Sequence, residues 1–419
     1  MNRNGMDILK RLIAKGVSVP CPESVEIGAD IDPERISGEK VTIHSGCRIY
    51  GAGTLIMSGT ELGYESPVTL HDCQLGRDVR LHGGYFYKAC FLDGASMGSG
   101  ASVRQASLLE EKARGAHTVG LKQTILFPFV TVGSLVNLCD CLMAGGTDER
   151  NHSEVGSSYI HFNYTPNRDK ATPSLMGDVP GGVMINQPPI FLGGQGGIVG
   201  PVRIGYGTVV AAGTIVRKDV LRESTILLGH TSPVRTMPFH QGLYTNIKRI
   251  VTLNTIYISS LIVLRRWYLD VRSLFMKGDP MGRALLEGAV EKLNMAIGER
   301  IDRLGQVAGR MPESIKIHRK VTSGRASETT VRMKKEFCER WHEIEQAFLG
   351  GREQVGNPSH KQAFMDILER AMRTETGYLP VIKGLSRADS RAGTTWLQGM
   401  FDEIKSQVRN ILPDFKIKV

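Results

Sequence analysis

The side chains best placed to move a proton are two histidines close together in the chain. His152 sits in Asn151-His152-Ser153-Glu154, and His161 opens His161-Phe162-Asn163-Tyr164. A free imidazole titrates near pH ~6.5, so it can take a proton at neutral pH and give it back. Glu154, Asp148 and Glu149 are close enough in sequence to orient such a ring. Either histidine could instead be a hydrogen-bonded surface residue. Arg168 and Lys170 follow within ten residues of His161. Both carry donors suited to a phosphate, and both are equally at home as solvated loop charges. The run Gly193-Gly194-Gln195-Gly196-Gly197 lacks the Lys-Ser/Thr pair and the following helix of a phosphate cradle. It reads as a turn that closes a loop. Cys139 and Cys141 have no second pair at ligand spacing, so no zinc site is expected, and they read as small buried side chains.

What positions these residues is a repeat. Ile198, Ile204, Val210 and Val216 recur every six positions. Ile43, Ile49 and Leu55, the pair Leu75 and Leu81, the trio Phe91, Met97 and Val103, and the pair Val119 and Ile125 keep the same spacing. Glycines or alanines stand behind them, as at Gly205, Ala211, Gly207 and Gly213. A flat three-sided coil needs one inward aliphatic residue per side and small residues at its corners. One coil cannot bury its own face, so coils must stack by parallel strand pairing. Six residues per side give about 18 per coil, and residues 21–240 then make on the order of ten coils. The pattern breaks at Asp148–Asn151 and over residues 164–190, and loops that leave a regular solenoid tend to carry function.

Near residue 240 the period becomes helical. Of the 48 glycines, 33 precede position 241. Residues 1–240 hold 22 basic and 22 acidic side chains, so the whole net charge of +10 lies in residues 241–419. An apolar stripe predicts a helix from Leu243 to Met276, and others follow at 282–310, 329–349, 361–374 and 392–411. The expected organisation is an N-terminal helix over 1–20, a β-solenoid over 21–240 and an all-α region over 241–419. Basic clusters at Arg265-Arg266 and Lys316–Lys320 are interleaved with acids, as on solvated helices, so nucleic acid and membrane surfaces are not the expected partners. The most apolar run, Tyr257–Leu264, is shorter than a membrane span needs. No secretory leader is visible, and seven irregularly spaced cysteines fit a reducing cytoplasm.

Residues 151–219 also resemble a known family. Asn163-Tyr164 and Lys170, Gly177-Asp178-Val179, Phe191-Leu192-Gly193, Pro201-Val202, Ala211-Ala212-Gly213-Thr214 and Lys218-Asp219-Val220 are similar to the motifs of hexapeptide-repeat acyltransferases. The likeness is to the acetyltransferase half of the bifunctional enzyme that acetylates glucosamine-1-phosphate and then uridylylates it. The uridylyltransferase half has no counterpart in this sequence. The resemblance implies a left-handed parallel β-helix and acetyl-CoA as co-substrate, with no metal. It also implies a sugar, sugar-phosphate or nucleotide-sugar acceptor, and a homotrimer. It places Asn163, Tyr164, Arg168 and Lys170 at the acceptor, and Gly193, Gly194, Ala211, Ala212, Gly213 and Lys218 along the donor. Such a transfer needs a base, for which His161 stands slightly ahead of His152 because it adjoins the family-like Asn-Tyr pair, with Glu154 to orient it. The family's own histidine lies in an earlier coil that does not align here. A non-catalytic scaffold or sugar-nucleotide-binding protein is therefore the competing expectation, as is a partner of a separate nucleotidyltransferase.

Overall fold

The computed structural model describes residues 3–229, 236–322 and 327–417. Helix α1 (Arg3–Lys15) buries Leu9 and Leu12 against the first coil. The chain then winds into a parallel β-solenoid of about 11 turns, built from strands of two to seven residues. One side is a ten-stranded sheet. The other two sides join into a sixteen-stranded sheet. They join because Gly120–Leu126 and Asn137–Met143 run round a corner without breaking, turning at Gln123 and Asp140, both with positive φ. The six-residue series is the core: Ile198, Ile204, Val210 and Val216 are all buried.

Coil length varies around the expected value. Leu70 pairs with Phe86, a step of 16 residues, and Val103 pairs with Leu121, a step of 18. Thr131 pairs with Glu154 and Glu154 with Phe191, steps of 23 and 37. These longer coils hold three excursions. The first is an antiparallel hairpin, Gly146–Asp148 with Asn151–His152. The interruption expected over 164–190 proves to be two loops, at 163–173 and 177–190. Between them Ser174–Met176 returns to the solenoid and pairs with both neighbouring coils. All three residues of that strand are buried, so the coil is completed rather than abandoned. Within the second loop lies the short helix α2 (Val179–Gly182), whose Gly181 amide donates to Asp178 at 2.7 Å.

The C-terminal region is helical: α3 (Ile247–Trp267), α4 (Ser273–Met276), α5 (Pro280–Gly309), α6 (Met311–Val321), α7 (Glu328–Glu339), α8 (Trp341–Gly351), α9 (Pro358–Ala371), α10 (Tyr378–Lys383) and α11 (Arg387–Ile411). A wide π-type turn, Tyr268–Arg272, joins α3 to α4. Sequence periodicity missed α6 and α10, and read α7 and α8 as one helix. Their division falls at Arg340, which leaves helical geometry. Ser327 stands at the N-cap of α7 and makes no capping hydrogen bond. Counted over its full length, Ile247–Met276 is long and apolar enough, by length and composition alone, to cross a membrane. In this structure 78% of its apolar window is buried by the protein itself.

The helices do not sit beyond the solenoid but lie along one side of it. Helix α5 packs on the strands at Leu55–Ile56, Gln74–Leu75, Ala89–Phe91 and Ser107–Leu109. Gly288 permits this closeness, since a β-carbon there would lie 2.5 Å from Gln74 Cγ. Two buried arginines fasten the contact. Arg272 meets Glu110 at 2.8 Å and Glu111 at 2.5 Å, and Tyr268 donates to Glu110 at 2.6 Å. Arg300 meets Asp140 at 2.9 Å and Gln123 at 3.0 Å. Burial pushes the Glu110 carboxyl up to about 7 against the pull of Arg272.

Candidate functional site

The two histidines occupy opposite environments. His161 is the middle residue of Ile160–Phe162, pairs with Ile198 and points inward. Its Nδ1 lies 2.5 Å from the Cys139 carbonyl, which can only accept, so Nδ1 carries the proton. Nε2 then accepts from the Ser174 hydroxyl at 2.8 Å, and that oxygen in turn accepts from the Val202 amide at 3.1 Å. Burial lowers the imidazole pKa to about 4. Both nitrogens are therefore engaged and the ring is neutral at pH 7. Gly200 closes over it, since a β-carbon there would come within 2.7 Å of Nε2.

His152 lies on the hairpin that leaves the solenoid between Met143 and Ser153. Its Nδ1 is 2.9 Å from the Glu149 carbonyl, so Nδ1 donates and the Nε2 lone pair is left for another partner. Glu154 stands 3.9 Å from Nε2. The hairpin is held rigid from both sides. Asp148 accepts from the amides of Arg150 and Asn151, which lowers its pKa. Glu149 pairs with Lys112 at 2.5 Å and Arg114 at 2.9 Å, and its pKa is lowered chiefly by the Lys112 hydrogen bond. It is thus the carbonyl of Glu149, not its carboxylate, that orients His152. An open depression of ≈ 780 Å³ adjoins the hairpin, lined by Arg150, Phe129 and, from α10, Lys383.

The proposed acceptor residues are held differently. Asn163 donates to Asp140 at 2.7 Å and its carbonyl accepts from Thr172. Tyr164 is 59% exposed. The Arg168 side chain is exposed, while the Lys170 carbonyl accepts from Arg300 at 2.7 Å. Around them the loop is gripped by the helical region: Tyr244 donates to Asp169 at 2.6 Å, Arg310 to the Asn167 carbonyl at 2.7 Å, and Asn254 to the Ala171 carbonyl at 3.0 Å. Sequence reasoning missed these helix-borne groups. For the arginines the only signal was the excess of positive charge in residues 241–419; Tyr244 and Asn254 gave none.

The proposed donor residues divide. Ala212, Gly213 and Lys218 line an open cavity of ≈ 730 Å³ at the last coils, together with Arg217, Leu227 and Gly229. Gly213 has φ +72°, and among the described residues nothing lies within 4 Å of where its side chain would stand. Ala211 pairs through its amide with Leu227. Gly193 and Gly194 instead serve coil stacking, since a β-carbon on Gly193 would lie 2.3 Å from the Ala212 amide, and one on Gly194 would lie 2.9 Å from the Ser157 carbonyl. Asp219 is fixed by Arg203 and, from α3, Arg249. Cys139 is partly exposed rather than buried, and Cys141 is buried. Among the described residues no group of three or more metal-ligating side chains occurs.

No family model matches the chain. The curated proteins give a consistent answer. The bifunctional protein GlmU of Nitratidesulfovibrio vulgaris is 27% identical over 244 residues, 57% of this chain and 44% of the relative. The GlmU of Thermotoga petrophila is 25% identical over 219 residues, 51% and 42% of the two chains. That of Oleidesulfovibrio alaskensis is 28% identical over 221 residues, 51% and 41%. Over about half of its length the chain is similar to GlmU. It spans less than half the length of the GlmU proteins it matches. The match to GlmU agrees with the likeness carried by residues 151–219 and with a parallel β-solenoid.

Proposed function

We propose that this protein transfers an acetyl group from acetyl-CoA to a sugar, sugar phosphate or nucleotide sugar, with His152 as the base. The observation that carries this reading is the His152 arrangement. One nitrogen is anchored on a rigid backbone carbonyl and the other is left available beside Glu154. In the step, Nε2 takes the proton of the acceptor amine or hydroxyl. The freed lone pair attacks the thioester carbonyl, and the carbon–sulfur bond breaks to release the coenzyme A thiolate. The bare corner at Ala212-Gly213 leaves room for a flat chain to lie close to the backbone, with Lys218 and Arg217 available to phosphates. Assembly as a homotrimer is part of the proposal, supported by exposed apolar residues on the last coils, Phe191, Val209 and Ile226 on one side and Ile160, Phe162 and Ile215 on another. Seven free thiols fit a reducing, cytoplasmic setting.

Titration calorimetry with acetyl-CoA, with coenzyme A in parallel, is the first test. Saturable binding followed by release of free thiol when amino- and hydroxy-sugars are added supports the transfer. The absence of binding at millimolar acetyl-CoA overturns it. A second reading, a non-catalytic scaffold that binds a sugar nucleotide, is favoured by the sealing of His161 and by the helices that grip loop 163–173. Sugar-nucleotide binding with no acetyl-CoA binding would establish it.

A further inference from the structure

The early coils carry an outward strip of rings that the transfer reading does not use. Strand pairing sets Tyr50 beside His71 and His71 beside Tyr87 on successive coils. Their ring centroids are 6.2 and 5.4 Å apart. Tyr85 stacks with Tyr87 at 6.3 Å and 24°. At the adjoining corner Tyr64 stands edge-on to His44 at 5.7 Å and to His82 at 6.1 Å. Seven rings thus gather on neighbouring coils, with Tyr64 66% and Tyr85 37% exposed.

The backbone between the two groups is bare. Gly83 and Gly84 separate His82 from Tyr85, and β-carbons there would come within 1.9 Å of Ser66 Oγ and 2.1 Å of the Ala101 carbonyl. Polar groups along the strip are fixed in place. His44 bonds Glu61 at 3.1 Å and His82 bonds Glu65 at 3.0 Å, while His71 lies 3.1 Å from Asp72 without a hydrogen bond. Arg104 lies over Tyr85 at 5.2 Å and Lys88 over Tyr87 at 5.5 Å.

The charge balance selects the ligand. With Glu26 and Arg48 beside Tyr50, four carboxylates stand against three cations and three imidazoles, so the strip lacks the cationic excess that a phosphate backbone requires. Charges spread among the rings also distinguish it from the core of a subunit interface, where charge is depleted. The exposed rings of Tyr64 and Tyr85, bordered by polar groups, suit a molecule with apolar C–H faces and hydroxyl edges, and their spread over neighbouring coils suits a chain of such units. We propose that this strip binds a neutral oligosaccharide, aligned with the solenoid axis. The proposal is independent of acetyl transfer.

The test is titration calorimetry of the full chain with maltohexaose, cellohexaose and chitohexaose, each beside its disaccharide, and with a thymidine decamer at physiological ionic strength. Tyr85→Ala and Tyr64→Ala serve as variants, with thermal melts to check that both remain folded. The expected result is saturable binding of one hexasaccharide, weaker binding of its disaccharide, and a loss of about tenfold in Tyr85→Ala. If none of the three hexasaccharides binds saturably, the proposal is overturned. It is equally overturned if both variants bind as the wild type does, or if the decamer binds more tightly than every glycan.

Discussion

The two histidines show how much a residue's role depends on where its coil leaves it. His161 adjoins the family-like Asn163-Tyr164, yet its strand turns it inward, where a solenoid usually places an aliphatic side chain. Its lowered pKa has a consequence for stability. The unfolded chain protonates this ring near pH ~6.5, while the folded chain resists until about pH 4. The unfolded state therefore binds more protons across that window, and stability falls as the pH falls through it, by about 3 kcal/mol in total. Glu110, raised to about 7, acts in the opposite sense over an overlapping range, so the wild-type curve alone would mix the two. His161→Gln isolates the first. Denaturant melts at several pH values should show the variant less stable than wild type at pH 7, with the gap narrowing toward pH 5. His152→Ala, by contrast, should leave the melting temperature within a few degrees of wild type. It should reduce acetyl transfer by about 100-fold or more, measured as thiol release under saturating donor. Full turnover in this variant would remove His152 from the mechanism.

At the scale of the coil, one glycine cannot stand for another. Gly193 and Gly213 occupy related places on adjacent coils, and the sequence presents both simply as small corner residues. Gly193 faces the next coil's backbone at a distance no β-carbon tolerates, whereas no described residue lies within 4 Å of a β-carbon on Gly213. Gly193→Ala should therefore give insoluble or unfolded protein. Gly213→Ala should fold, with a cost of about 1–2 kcal/mol from its positive φ, read in a denaturant melt. The six-residue period was legible because the inward position of each coil admits almost nothing but an aliphatic side chain. The excursions were legible only as breaks in that period. Nothing local showed that Ser174–Met176 would return to the solenoid, because a three-residue strand completing a coil has no periodicity of its own. The helices were readable from their stripes, except for α6, for the short α10, which follows Gly377 and contains Pro380, and where Arg340 divides α7 from α8.

For the whole molecule, the informative contacts join residues far apart in sequence, and these were not legible. The change of charge and period near residue 240 suggested two regions, but not that one would lie along the flank of the other. The arginines that hold them together are among the positive charges that made the C-terminal region look merely basic. Arg300→Leu should be costly, because it leaves the buried Asp140 with the Asn163 amide but no counter-charge, and the Lys170 carbonyl without its donor. A loss of about 3–5 kcal/mol is expected, seen as a lowered denaturation midpoint. The double variant Arg300→Leu with Asp140→Asn should recover part of it. Full-length protein should unfold in one calorimetric transition, since both regions share buried charge. A chain ending at residue 246 should aggregate, because it would leave the strands under α5 open to water.

The same geometry sets a timetable for synthesis. Coils of the solenoid pair with neighbours made moments earlier, but Gln74 must wait for Gly288 and Glu110 for Tyr268. At about 5–20 residues per second, the flank under α5 is left uncovered on the ribosome for roughly 10–40 seconds after its first strands emerge. During that interval a nascent chain presents an apolar parallel sheet with no lid, the kind of surface that chaperones recognise. The yield of folded protein should thus depend more on translation speed and chaperone supply than its final buried surface suggests.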